Sequence, residues 1–252
     1  MAEIISISNQ KGGCGKTTTA VNLSAALALT GKKVLLIDLD PQGSASLTFG
    51  INIEDILISM TDVLLDDELD FEYNIFKKGN IHIAPATLSL HKAELEMMDM
   101  DRHEDRLKRK LDKIQHRYDY VIIDCPPQMG ILVSNALAAS RWIIVPVDVG
   151  FYSLVGLRQI LKKIEEIRSF NRELEIMGFL IVRYDHRNML SQQVQDKLKH
   201  SFPDKTFDVC IRPNIRLAES PSYQKTIFEY DKRSHGAEDY YRMAKEVIAW
   251  PR

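Results

Sequence analysis

The sequence predicts an α/β fold: a doubly wound, mostly parallel sheet with helices on both faces. Three observations carry this expectation. Continuous apolar runs such as Val34-Leu35-Leu36-Ile37 and Val121-Ile122-Ile123 read as strands covered on both sides. Segments of helical spacing separate such runs along the whole chain. A glycine-rich turn at residues 8–19 joins the first strand to the first helix, as a phosphate-binding loop requires.

Taken in order, residues 4–7 form the first strand and residues 20–29 the first helix. Thr30-Gly31-Lys32-Lys33 is a helix stop and turn. Residues 34–38 form the second strand, which runs into Asp38-Leu39-Asp40-Pro41. Residues 44–70 are weakly patterned, with a short helix at 61–65. A short strand covers 80–85, and a methionine-rich helix at 88–100 reads as core or lid packing before partner surface. Residues 102–117 carry Arg106, Lys108, Arg109, Lys110 and Lys113 around the stripe Leu107, Leu111 and Ile114, a solvated cationic face on an amphipathic helix. The next strand begins near 118 and ends in Asp124-Cys125-Pro126-Pro127. A helix at 130–140 and a strand at 142–147 follow. The helix at 153–170 has Leu154, Leu157, Ile160, Leu161, Ile164 and Ile167 on its apolar side, and a strand covers 176–182. Ile211 reads as following a further strand, and a helix closes the chain. With no linker, repeat or low-complexity tract, residues 1–252 read as one domain.

The turn Ser8-Asn9-Gln10-Lys11-Gly12-Gly13-Cys14-Gly15-Lys16-Thr17-Thr18-Thr19 carries the chemistry. Glycines let consecutive N–H groups converge on an anion, and the helix N-terminus adds partial positive charge. Lys16 is placed to reach terminal phosphates, and the Thr17 hydroxyl to bind Mg²⁺. Cys14 reads as a small space-filling residue. An apolar strand ending in Asp124, after such a loop, reads as a second contributor to Mg²⁺. The standard G-x-x-x-x-G-K-T pattern would place glycine at Gln10; here a second lysine, Lys11, precedes the glycine pair instead.

That form, K-G-G-x-G-K-T-T, resembles the deviant Walker A loop of the ParA/MinD superfamily of P-loop ATPases. The stretch Asp38-Leu39-Asp40-Pro41-Gln42-Gly43-Ser44-Ala45-Ser46 is similar to that family's second signature, and the last third resembles its chromosomal ParA/Soj branch. The resemblance runs from residue 2 to about 249. It implies an Mg²⁺-dependent ATPase that forms an ATP-dependent homodimer, in which Lys11 reaches the partner's phosphates as an arginine finger does in trans. Nucleotide contacts carried over with it are Lys11, Gly12, Gly13, Cys14, Gly15, Lys16, Thr17 and Thr18. Asp40 would orient the attacking water, and Pro213 and Asn214 would line the adenine pocket. The order Arg212-Pro213, where the branch often has Pro-Arg, leaves the adenine contacts open by one residue. Arg187 and Arg216 would contact double-stranded DNA non-specifically, and a ParB-like partner would stimulate hydrolysis during chromosome or plasmid segregation.

Composition bounds the partners. The net charge is −2, with 33 basic and 35 acidic residues, so no global field draws in nucleic acid. Seven Lys/Arg meet four Asp between Arg183 and Arg216, a local excess of positive charge where an anionic polymer would bind. Three cysteines without metal spacing, no signal peptide and no long apolar run point to a cytoplasmic protein with no membrane expected, and the family resemblance implies that it is nucleoid-associated. A MinD-like membrane switch would need a terminal amphipathic helix, which Pro251 blocks; positioning of another cargo by the same chemistry stays open.

Overall fold

Leu35 and Ile37 face one hydrophobic core while Val34 and Leu36 face another, and all four are fully buried. A strand covered on both faces has no polar side to display, which is why its sequence shows no alternation. The protein, seen here as a computed structural model, is described over residues 1–150 and 153–250. The side chains of residues 153–156 also lie outside that description, and with them the expected apolar position Leu154; so does the expected stop at Pro251.

The strands are β1 (Glu3–Ile7), β2 (Val34–Asp38), β3 (Phe76–Lys78), β4 (Ile81–Ala84), β5 (Tyr120–Asp124), β6 (Trp142–Asp148) and β7 (Glu175–Val182). They form a seven-stranded sheet in the order β3-β4-β2-β5-β1-β6-β7. Every pairing is parallel except that of β3 with β4. β1 connects to β2 on one side of the sheet and its neighbour β5 connects to β6 on the other, so the loop after β1 opens at a switch point, where such sheets bind ligands.

The helices are α1 (Lys16–Leu29), α2 (Ser44–Thr48), α3 (Met60–Leu65), α4 (Leu90–Met97), α5 (Arg106–Ile114), α6 (Ile131–Ala139), α7 (Ser153–Arg168), α8 (Met189–Ser201), α9 (Ile215–Glu219), α10 (Ile227–Tyr230) and α11 (His235–Ala249). α1, α2 and α9 to α11 cover one face of the sheet, and α3 to α8 the other. The fold is the doubly wound, mostly parallel arrangement the sequence predicts. Among the described residues no helix is long and apolar enough to cross a membrane.

Four local expectations change. The first helix starts at Lys16, four residues early, because Gly15 adopts a left-handed conformation (φ +81°) that turns the chain directly into it. The basic face of α5 is not all solvated. Arg106 and Lys110 are 3% and 4% exposed and donate to the carbonyls that α3 and its following turn leave unpaired: Leu64 and Leu65 from Arg106, Asp66, Asp67 and Leu69 from Lys110. No strand precedes Ile211. Residues 206–211 pair with β7 only through isolated bridges at Phe179–Thr206 and Val182–Ile211, and the Glu246 carboxylate takes the Asp208 and Val209 N–H groups at 2.8 and 3.1 Å. The sequence reading assigned no element to β3, whose Phe-Lys-Lys has no buried side, or to α8, whose core contact rests on Val194 and Leu198.

The 206–211 segment matters because it carries Ile211 to Asn214 toward the carboxyl edge of the sheet. Phe207 seats it on β7, where a Cβ on Gly178 would stand 2.7 Å from the Phe207 ring. Gly178→Ala should therefore destabilise the protein by about 1–3 kcal/mol through overpacking. Phe207→Leu in the same chain should recover part of the loss, read as the shift in the urea midpoint at unchanged m-value.

Candidate functional site

The loop after β1 leaves the buried Ser8 and Asn9 and turns through Gly12, Gly13 and Gly15. Gly13 and Gly15 have φ of +68° and +81°, a conformation that side chains oppose. Added Cβ atoms at Gly12 and Gly13 would meet nothing within 4 Å, so this stretch of backbone faces open space rather than protein. Asn9 fixes the loop's base, donating to the Pro146 carbonyl at 2.7 Å and accepting from the Lys11 N–H at 3.1 Å. Cys14 is fully buried, and burial pushes its thiol up, which suits a packing role. Lys16 is 7% exposed and lies back along the loop, its Nζ donating to the Lys11 carbonyl at 3.2 Å.

The loop borders a cavity of about 420 Å³. Gly12, Gly13, Gly15, Lys16, Thr17 and Thr18 line one end; Asp40 and Pro127 stand beside them. Pro213 and Asn214 line it as well, with Leu217 and Tyr240, so the structure brings the phosphate loop and the expected adenine segment to one cavity. Asn214 also caps α9, accepting from the Arg216 N–H at 2.8 Å. Arg212 is fixed by Asp239, which accepts its guanidinium at 2.6 to 3.0 Å and its N–H at 2.9 Å. Tyr240, in contact with the Thr19 hydroxyl at 3.1 Å, ties α11 to α1 beneath the cavity.

Two acidic residues at adjacent strand ends behave differently. Asp38 and Asp124 are register partners on β2 and β5, and both are fully buried. Asp38 accepts from Ser46 N–H at 2.9 Å, Ser46 Oγ at 2.8 Å and Asp40 N–H at 3.1 Å. It is the hydrogen-bonded cap of the turn into α2, and burial still pushes its carboxyl up to about 6. Neither side-chain oxygen of Asp124 has a hydrogen-bond partner. Burial, and then the neighbouring Asp38, push its carboxyl well above the usual range, and the nearby Thr17 hydroxyl and Lys16 charge offset this only in part. An uncompensated buried carboxylate is costly, so this one lacks a cation or a proton. Asp40 is partly exposed at the rim, with Oδ1 accepting from the Gln42 N–H at 3.0 Å.

Lys11 does not point into solvent. Its Nζ is 2.8 Å from Asp148 Oδ2, at the end of β6. Arg183 holds the same carboxylate, with Nε on Oδ1 at 2.9 Å and a terminal nitrogen on Oδ2 at 2.7 Å. Sequence reading singled out neither Asp148 nor Arg183 as part of the site; a strand-end acid and a strand-end arginine that face each other only in the sheet leave no local signal.

The two expected DNA contacts lie outside this cavity, and each is paired. Arg187 grips Asp185 through both oxygens at 3.0 and 2.8 Å, which holds that carboxyl well below the usual range. Arg216 reaches Glu219 at 2.9 Å and Asp231 at 3.7 Å. Each arginine stands next to, or within two residues of, an asparagine that caps a helix, Asn188 for α8 and Asn214 for α9.

The family profile described as "AAA domain" matches residues 2–176. The chain is 45% identical to the sporulation initiation inhibitor protein Soj of Bacillus subtilis (strain 168) over 253 aligned residues, covering 99% of each chain. It is 40% identical to the chromosome partitioning protein ParA of Caulobacter vibrioides (strain NA1000 / CB15N), covering 98% of this chain and 94% of that one. Among solved structures, cobyrinic acid a,c-diamide synthase from Mycobacterium smegmatis, with bound ADP and magnesium, superposes with a TM-score of 0.86. It is 30% identical, with 98% of this chain and 94% of that chain covered.

The two raised carboxyls make a pH prediction. A carboxyl whose pKa is raised on folding binds more protons in the folded state, so stability falls as pH rises through the window between the two values. For Asp38 that window runs from 3.8 to about 6. Asp124→Asn removes a buried charge at pH 8 and should raise the melting temperature by about 3 °C or more without added nucleotide or metal. At pH 5 the gain should be smaller, because uptake of a proton by the raised carboxyl relieves the buried charge as pH falls. Calorimetry at both pH values checks this; an equal gain at pH 5 would contradict the raised carboxyl.

Proposed function

Because the chain belongs to the Soj/ParA family of chromosome-partitioning ATPases, we propose that it is an Mg²⁺-dependent, ATP-switched partitioning ATPase, residues 1–252 acting as one domain. The observation that supports this best is the orphaned, buried Asp124 beside an open glycine cradle. The residues fit a magnesium nucleotide. Among the described residues no group of three or more His, Cys, Asp or Glu could hold a metal alone. A cation here would be held by the Thr17 hydroxyl and Asp124, with phosphate oxygens and water completing its shell. When bound, it neutralises charge on the β- and γ-phosphates.

The chain's own residues do the rest. Backbone N–H groups of Gly12 to Thr18 cradle the phosphates, and Lys16 turns from the Lys11 carbonyl to the terminal phosphates. Pro213 and Asn214 receive the adenine. Two protomers meet across their phosphate loops, and Lys11 of each exchanges Asp148 for the partner's phosphates. Asp40, with Oδ1 on the Gln42 N–H at the rim of the cavity, accepts a hydrogen bond from the attacking water through its other oxygen and orients it in line. A ParB-like partner stimulates this step and so releases the dimer from the nucleoid.

DNA binding follows from the same dimer. Arg187 and Arg216 are 78% and 50% exposed, so their carboxylate pairs are surface pairs of little net worth, readily exchanged for phosphates. One patch binds duplex weakly; two on one rigid dimer act together through effective concentration.

Three outcomes test this reading. Lys11→Ala should bind ADP yet lose ATP-dependent dimers and stimulated hydrolysis, a loss of about 3 kcal/mol in transition-state stabilisation by analogy with oxyanion-hole deletions. Asp40→Ala should dimerise on ATP and stay on DNA with hydrolysis nearly abolished. Binding to random-sequence duplex should need ATP and weaken by roughly 0.9 log units per log unit of salt for each phosphate neutralised, with a shallower slope in Arg187→Ala or Arg216→Ala. Equal DNA affinity in ATP and ADP would overturn the proposal.

A further inference from the structure

Asp148 sits at the end of β6, in register with Val182 at the end of β7, and Arg183 is the next residue. The chain turns there through a left-handed conformation, φ +58°, which a non-glycine residue adopts at a cost. The turn aims the guanidinium back over the sheet edge. One terminal nitrogen bridges Asp148 Oδ2 at 2.7 Å and the Gly13 carbonyl of the phosphate loop at 3.0 Å. Nε completes a fork on Asp148 Oδ1 at 2.9 Å. Lys11 shares Oδ2 at 2.8 Å. Asp148 is 13% exposed and Arg183 56%, so a half-open cation covers a nearly buried anion.

Two cations thus share one carboxylate. Burial pushes the Asp148 carboxyl up, but hydrogen bonds from Arg183, and then from Lys11, outweigh it and hold it below the usual range. If Lys11 were the only partner, its departure would strand a nearly buried charge, a large penalty. With Arg183 forked onto the same carboxylate, the charge stays paired after Lys11 leaves. We propose that Arg183 is a positioning residue that keeps Asp148 neutralised while Lys11 swings to the partner's phosphates, and so sets how readily ATP drives dimerisation. This rests on the reading that Lys11 acts in trans. Its bond to the Gly13 carbonyl couples the same side chain to the loop that carries Lys11.

The test measures dimerisation and nucleotide binding separately. Arg183→Gly removes the side chain and suits the left-handed turn, so the fold is spared. Sedimentation with a non-hydrolysable ATP analogue should show the dimer weakened about tenfold, the scale of one charged hydrogen bond. That loss should exceed any loss of ADP affinity in the monomer. Adding Asp148→Asn should restore dimerisation, because Lys11 then has no full charge to leave, and Arg183→Lys should retain part of the parent affinity. Unchanged dimerisation in Arg183→Gly, no rescue by Asp148→Asn, or an equal fall in ADP affinity would each overturn the proposal. A Lys11→Ala protein that dimerises like the parent would instead overturn the trans role of Lys11 itself.

Discussion

Two buried carboxylates at the ends of adjacent parallel strands set the terms for everything around them. Asp38 and Asp124 are neighbours in register, and water reaches neither. Burial raises both carboxyls, and the Asp38 charge raises that of Asp124 further. The chain resolves this unequally. Three donors from the turn into α2 satisfy Asp38, whereas Asp124 receives none. Asp38 is thereby fixed as part of the turn, while Asp124 stays without a hydrogen bond at the end of the neighbouring strand.

The same edge keeps its cations under restraint. Lys16 lies back on the Lys11 carbonyl, Lys11 and Arg183 share Asp148, and Arg212 is fixed by Asp239. Farther out, Arg187 and Arg216 hold local carboxylates. Each pairing keeps a positive group in place without committing it, and its strength follows burial. Arg212, locked on a carboxylate that is 1% exposed, is structural. Arg187, at 78% exposed, is loosely engaged.

Much of the fold was legible in the sequence because parallel strands buried on both faces write themselves as continuous apolar runs. β2, β5 and β6 stand where such runs stand, and the phosphate loop falls between β1 and α1. Elements whose contacts are not apolar were not legible. β3 has no buried side, and the middle of residues 206–211 leaves the sheet, where Glu246, 38 and 37 residues later, takes the Asp208 and Val209 N–H groups. Arg106 and Lys110 looked like a solvated face, since nothing local says that the end of α3 will present carbonyls to them.

By itself the sequence determined the phosphate loop, the order of strands and helices, and the acids at the strand ends, because each is written in contiguous residues. Only the tertiary structure decided that Asp38 is hydrogen-bonded while Asp124 is not, that the Pro213–Asn214 segment shares a cavity with the glycines, and that Lys11 shares Asp148 with Arg183. Those outcomes depend on which distant loops converge at one edge of the sheet, and the free energy of a charge depends on what surrounds it in space rather than in sequence.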